Sequence, residues 1–339
     1  MKYRVKLLGL YRVCGDTVWL CSSGSEMGFS YSSCSSGRIV LHGDGSVSAP
    51  NSRARYAVYL NDRELECGVL DREEKEILLP PGEKTGGKVR VVKLSEGPRS
   101  SLGAELRNFD GRVRPLPEKK RKLEFIGDSI TCGYGADGNT TCAFSTATED
   151  IRASYAYIAA SLLRADACYS CYSGFGLASG YTADGTRNAR DLVPLYWKKL
   201  GPCDFPFPDG ERAEDTRRDL SAFRPDTVVI NLGTNDISYT GEDAAKQEEY
   251  RNAYIAFLET VRDARPEADI LCVLGVMGDT LNTAAAEAVR LYSEKTGDTR
   301  VRFSALPVQR SRDGYGVDFH PSPRTQLKTG RLVARLLRG

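Results

Sequence analysis

The chain has 339 residues, room for two domains of ordinary size, and its 41% hydrophobic and 27% charged residues are those of a globular protein. A formal net charge of +2 gives no long-range attraction for nucleic acid or an anionic membrane surface, so partners of those two kinds are not expected. No apolar run approaches the ~20 residues that cross a bilayer.

The start of the chain, Met1-Lys2-Tyr3-Arg4-Val5-Lys6, is charged, and Leu7-Leu8-Gly9-Leu10 is too short for the apolar part of an export signal. A cytoplasmic location is therefore expected, with most of the ten scattered cysteines as reduced thiols. Up to about residue 110 there is no helical period. Short apolar runs such as Arg38–Leu41, Tyr56–Leu60, Ile77–Leu79 and Lys88–Leu94 alternate with turn residues, including Gly43-Asp44-Gly45, Asn61-Asp62 and Pro80-Pro81-Gly82. Several strands at this spacing predict an antiparallel sandwich. His42 reads as an ordinary surface or turn residue. Gly111, Pro115, Pro117 and the basic run Lys119-Lys120-Arg121-Lys122 mark a linker, which divides the chain into 1–117 and 118–339.

Strand and helix alternate in the second part. Strands are predicted at Leu123–Ile126, Ala167–Cys171, Thr227–Asn231, Ile270–Leu274 and Val301–Ser304. Helices are predicted at Ala153–Arg164, with Tyr155, Ile158, Ala159, Leu162 and Leu163 on its buried face, then through Tyr250, Tyr254, Phe257, Leu258 and Val261 up to Pro266, then at Thr283–Lys295 and Arg324–Leu337. This order implies a parallel sheet covered on both faces. Cys168 and Cys171 form a Cys-x-x-Cys, but within a strand that spacing sends the side chains to opposite faces, which argues against a metal or redox pair.

Sites in such sheets form beyond the carboxyl ends of the strands. Four unusual clusters fall there: Gly127-Asp128-Ser129-Ile130, Tyr172-Ser173-Gly174-Phe175-Gly176, Leu232-Gly233-Thr234-Asn235-Asp236 and Asp318-Phe319-His320-Pro321. A serine just past a strand has its own N–H unpaired, which favours a developing oxyanion beside it. Only two histidines exist, so an imidazole base for that serine is His320 unless it comes from the sandwich.

Gly-Asp-Ser-Ile resembles the first block of the GDSL, or SGNH, hydrolases, and Ser129, Gly174, Asn235 and His320 match the four blocks in order. The strings Phe-Ile-Gly-Asp-Ser-Ile-Thr-Cys-Gly-Tyr-Gly and Val-Ile-Asn-Leu-Gly-Thr-Asn-Asp resemble carbohydrate esterase family 2. That resemblance implies a jelly-roll sandwich followed by a three-layer α/β/α domain, and removal of acetyl groups from sugars of the xylan and mannan type. Ser129 would then be the nucleophile and His320 the base, with the N–H groups of Ser129 and Gly174 and the Asn235 amide as the oxyanion hole. Many enzymes of the superfamily place an aspartate three residues before the histidine, where this chain has Val317. A Ser–His dyad is therefore expected, with the main-chain carbonyl of Asp318 orienting the ring. Asp128 and Asp236 read as loop braces. Phe175, Phe319, Tyr134, Met277 and Trp197 are candidates for the acyl pocket or a sugar platform. No metal or cofactor is implied. A lipid or thioester acyl hydrolase and a non-catalytic glycan-binding protein are the competing readings, and the oligomeric state stays open.

Overall fold

The computed structural model describes residues 4–81 and 86–338. Gly82 of the Pro80-Pro81-Gly82 turn lies outside them. The first part forms two antiparallel sheets. One runs in the spatial order Lys6–Leu8, Glu26–Ser32, Gly87–Lys93, Arg55–Leu60, Arg63–Val69, with Arg112–Pro115 also paired to Glu26–Ser32. The other runs Tyr11–Cys14, Thr17–Leu20, Leu102–Arg107, Arg38–Gly43, Glu74–Leu78. Alternate residues of facing strands, among them Phe29, Tyr56, Val91, Leu41 and Ala104, meet in one core between the sheets. His42 lies within a strand here, and not in a turn: its Nε2 is 3.0 Å from Glu105.

The second part is a five-stranded parallel sheet in the order Asp166–Cys171, Lys122–Gly127, Thr227–Asn231, Asp269–Leu274, Val301–Ala305. Helices Ala244–Ala264 and Asn282–Thr296 cover one face, and Tyr155–Leu162 and Pro323–Leu336 the other, which makes three layers. The stripe Tyr250, Tyr254, Phe257, Leu258, Val261 is the buried face of the long helix. The Tyr155–Leu162 helix is rotated from the face expected: Tyr155, Ala156, Ala159 and Ala160 are buried, whereas Leu162 is 45% exposed. The last helix decides this. Gly330 comes so close that a methyl group on it would sit 2.7 Å from Ile158 and 2.9 Å from the Tyr155 carbonyl, while Ala156, Ala159 and Ala160 pack in one cluster with Phe125, Val333 and Ala334.

Period-two alternation in Leu123–Ile126 sends Leu123 and Phe125 to one helical layer and Ile126 to the other. Glu124 therefore points into the core, fully buried. It takes hydrogen bonds from Arg218 (2.5 Å), Arg265 (2.8 Å) and the Trp197 indole (3.0 Å). Burial pushes its carboxyl up, but the two guanidinium charges outweigh that and leave it below the ordinary range. Trp197 is thus core and has no part in a substrate pocket. The two parts of the chain are tied together. Ala57, Val92 and Leu94 of the sandwich share the core under the Tyr155–Leu162 helix, and Arg152 bonds Tyr59 (2.7 Å) and Glu64 (2.5 Å).

Candidate active site

The sheet order puts Lys122–Gly127 between Asp166–Cys171 and Thr227–Asn231, with Gly127 in register with both Cys171 and Asn231. Chain direction reverses its lateral progress here, and the crevice at such a point is where open α/β sheets bind ligands. The three neighbouring strands deliver Ser129, Gly174 and Asn235 to one spot.

Ser129 opens a four-residue helix, Ser129–Cys132. Asp128 caps it by accepting the Ile130 N–H at 3.0 Å, which leaves the Ser129 N–H without a protein acceptor among the described residues. Asp128 is fully buried, and burial together with the Asp236 charge pushes its carboxyl up to about 7. Asp236 braces the neighbouring loop instead, taking the N–H groups of Leu177, Ala178 and Ser179 at 2.7–3.1 Å. Burial pushes it up to about 6, against the pull of those donors.

Gly174 has φ +85, a left-handed backbone that L side chains rarely adopt, and nothing stands within 4 Å of where its Cβ would be. Its N–H meets no protein acceptor among the described residues, and the residue lines the cleft. Asn235 donates one amide hydrogen to the Phe175 carbonyl at 2.8 Å, which fixes the amide plane and leaves the second hydrogen for the cleft.

His320 comes from the far edge of the sheet, on the loop after Val301–Ala305. That loop is pinned across the sheet: Val317 N–H donates to the Gly135 carbonyl at 3.1 Å, and Gln309 donates to the Phe319 carbonyl at 2.8 Å. Gly135, at φ +62, must be a glycine, since a Cβ would lie 2.6–2.8 Å from Val317. Gln326 of the last helix completes the anchorage by donating to the Ile130 carbonyl and accepting the Tyr155 N–H. The result is a bond of 2.8 Å between His320 Nε2 and Ser129 Oγ.

The ring's other nitrogen is held chiefly by the carbonyl one residue before the one expected, with the Asp318 main chain a smaller contributor. Nδ1 lies 3.1 Å from the carbonyl of Val317, one residue before Asp318. The segment is not extended: Val317–Phe319 is a tight turn with Asp318 at φ 50 and Phe319 at φ 59, so the Val317 carbonyl folds back over residue 320 and also accepts its N–H at 3.0 Å. The Asp318 carboxylate turns to the Tyr134 hydroxyl, 2.8 Å away. Tyr134 lies against the imidazole with ring centroids 4.3 Å apart, and Phe144 stacks on its other face at 3.8 Å. Burial lowers the His320 pKa from its ordinary 6.5, opposed by the Val317 carbonyl and the Asp318 charge. The balance favours the neutral ring, the state a base needs.

Ser129, Gly174, Asn235 and His320 line one cleft of about 580 Å³, with Tyr134, Tyr181, Met277, Asp318 and Arg99 among its other walls. Of the candidate specificity residues, Tyr134 and Met277 are on it. Phe175 is buried behind it, and Phe319 points outward at 62% exposure.

Sequence reasoning missed the sandwich's share. Arg99 reaches the cleft from the loop after Gly87–Lys93, and Glu96 of the same loop accepts the Ser173 N–H at 2.7 Å, next to Gly174. Neither residue carries a motif; only the buried glutamate in a Glu-Gly-Pro turn was there to notice. Among the described residues, Glu96, Cys132 and Glu149 place donor atoms within 4.8 Å of one another and are the group that could hold a metal. Their oxygens are largely in use, Glu96 by Ser173 and Glu149 by the Glu96 N–H at 2.9 Å, and burial and the Glu96 charge push the Glu149 carboxyl well up.

Known proteins bear on this geometry. The profile of the GDSL-like Lipase/Acylhydrolase family matches residues 125–326. The cellulase/esterase CelE of Acetivibrio thermocellus is 36% identical over 249 residues, covering 70% of this chain but only 28% of its own length. An acetylxylan esterase / glucomannan deacetylase of Cellvibrio japonicus is 28% identical over 276 residues, 76% of this chain and 70% of that protein. The structure of a family two carbohydrate esterase from Clostridium thermocellum, in complex with cellohexaose, superposes with a TM-score of 0.83 at 25% identity and covers 98% of both chains. With the four blocks gathered on one cleft inside the matched span, the chain belongs to the GDSL-like lipase/acylhydrolase family, with esterases among its relatives and family 2 carbohydrate esterases among its structural neighbours.

Proposed function

We propose that this protein is a serine O-acetylesterase that removes acetyl groups from xylan- or mannan-type oligosaccharides through an acetyl-enzyme. The observation that carries the reading is the 2.8 Å Ser129–His320 bond, set beside three donors aimed at the same cleft. Ser129 Oγ attacks the acetyl carbonyl as His320 Nε2 takes its proton. The N–H groups of Ser129 and Gly174 and the free amide hydrogen of Asn235 hold the oxyanion, each worth ~10²–10³ in rate. The tetrahedral intermediate collapses, the C–O bond to the sugar breaks, and His320 returns the proton to the departing sugar oxygen. A water, deprotonated by the same ring, then cleaves the acetyl-serine to acetate. Nδ1–H bonded to a fixed carbonyl keeps the tautomer that presents a bare Nε2. Tyr181, 60% exposed at the cleft, offers a flat face to a sugar ring. The ten cysteines stand as free thiols, which suits a reducing compartment and imported oligosaccharides.

Acetate release from defined acetylated xylo- and manno-oligosaccharides tests the reading, with p-nitrophenyl acetate as a minimal substrate and Ser129→Ala as the blank. Turnover of the sugars that vanishes in the variant supports it. Preference for long-chain acyl esters or thioesters would replace it with a lipid-directed hydrolase, and sugar binding without turnover would refute catalysis.

A further inference from the structure

Arg99 is the one permanently cationic side chain on the cleft lining among the described residues. It is held, but not used up. Its Nε meets Glu96 at a long 3.4 Å, and its guanidinium lies over the Phe144 ring at 5.3 Å. Neither terminal nitrogen meets a protein acceptor among the described residues, and the side chain is 44% exposed.

Its base is rigid. Buried Lys93 donates to the carbonyls of Ser95 and Glu96, at 2.5 and 2.8 Å, and the Glu96 N–H is tied to Glu149. Gly97 packs so tightly that a Cβ would lie 2.4 Å from the Cys21 carbonyl. Phe144 is itself fixed by its stack on Tyr134. A planar guanidinium anchored at its stem beside a cleft, with both terminal nitrogens without a protein acceptor among the described residues, matches a carboxylate in two-pronged geometry, and little freedom is lost on binding. The acidic groups nearby leave the terminal nitrogens open: Glu96 meets only Nε, through Oε1. Glu96 takes the Ser173 N–H, and Asp318 takes the Tyr134 hydroxyl.

We propose that Arg99 is a carboxylate subsite, and that the favoured substrates are acetylated oligosaccharides carrying an acidic sugar, a uronate, beside the acetylated residue. This rests on the esterase reading above. A cleft of about 580 Å³ is of the size that holds a ligand larger than one ring, so a sugar whose acetyl group meets Ser129 has its neighbour within the same walls as Arg99.

The test compares kcat/KM on two oligosaccharides matched in length and acetylation, one with a glucuronic acid branch and one neutral. The native enzyme is expected to favour the acidic substrate by ~10-fold, less at high salt. Arg99→Gln brings the ratio near one, and Arg99→Lys, which keeps the charge but not the fork, retains part of it. Equal rates in the native enzyme, or a preference that survives Arg99→Gln, overturns the subsite alone. If neither sugar releases acetate while p-nitrophenyl acetate is hydrolysed, the carbohydrate reading falls and the subsite falls with it.

Discussion

Asp318 separates a dyad from a triad. In a triad the aspartate bonds the ring directly, and replacing it with asparagine costs ~10⁴ in kcat because the amide imposes the wrong tautomer. Here Nδ1 bonds the Val317 carbonyl, and the Asp318 carboxylate bonds Tyr134. Asparagine keeps an oxygen acceptor for that hydroxyl and is at ease at φ 50. What Asp318→Asn removes is a charge that helps the ring carry its proton in the transition state. At a partly exposed site that is worth ~1 kcal/mol, so a loss below ~10-fold is expected. The acid limb of the pH profile should move further down, since one of the influences raising the His320 pKa is gone. Asp318→Ala should lose somewhat more, together with ~1 kcal/mol of stability, because alanine dislikes the left-handed backbone. Steady-state kinetics on p-nitrophenyl acetate from pH 5 to 8, with thermal melts on the same samples, read all of this. A 10³–10⁴-fold loss in Asp318→Asn with an unchanged melt would refute the Val317 assignment.

Four further outcomes are expected. The acid limb of native kcat/KM should have its midpoint below pH 6.5, since burial holds the His320 pKa under its ordinary value; a midpoint above 6.5 contradicts this. The same burial makes the folded ring refuse a proton that the unfolded chain accepts, so its stability contribution is complete above 6.5 and is lost as the pH falls from there, readable by urea melts. Glu96→Ala frees the Ser173 N–H and lets the Gly174 donor drift, which should cut kcat by ~10²-fold with KM little changed; an unaltered kcat would separate the sandwich loop from catalysis. Glu124→Ala leaves Arg218 and Arg265 buried without their counter-charge and should cost ~3–5 kcal/mol in chemical denaturation, whereas a cost under ~1 would mean water reaches both guanidiniums.

Much of the fold could be read along the chain because it is written in local periods. The five parallel strands, the Tyr250–Val261 stripe and the glycine stop at Gly297 depend on neighbours a few residues apart. The polar clusters after the strands were visible for the same reason: a serine, a glycine and an asparagine just past apolar runs stand out without any knowledge of what they face. What depends on a partner far along the chain was not legible. The alanine face of the Tyr155–Leu162 helix is buried because it packs with Phe125, Val333 and Ala334, the Trp197 indole is held in the core on Glu124, and Arg99 and Glu96 reach the cleft because the sandwich docks beside Gly174. The carbonyl that orients His320 belongs to Val317 because two left-handed residues curl the loop back, a choice made by packing against Gly135. Sequence alone determined the repeating backbone elements and the chemical kinds of residue at their ends, since both follow from short-range sterics and hydrophobic period. Tertiary structure alone decided which groups meet, because a contact between distant residues is set by the shape of everything packed between them.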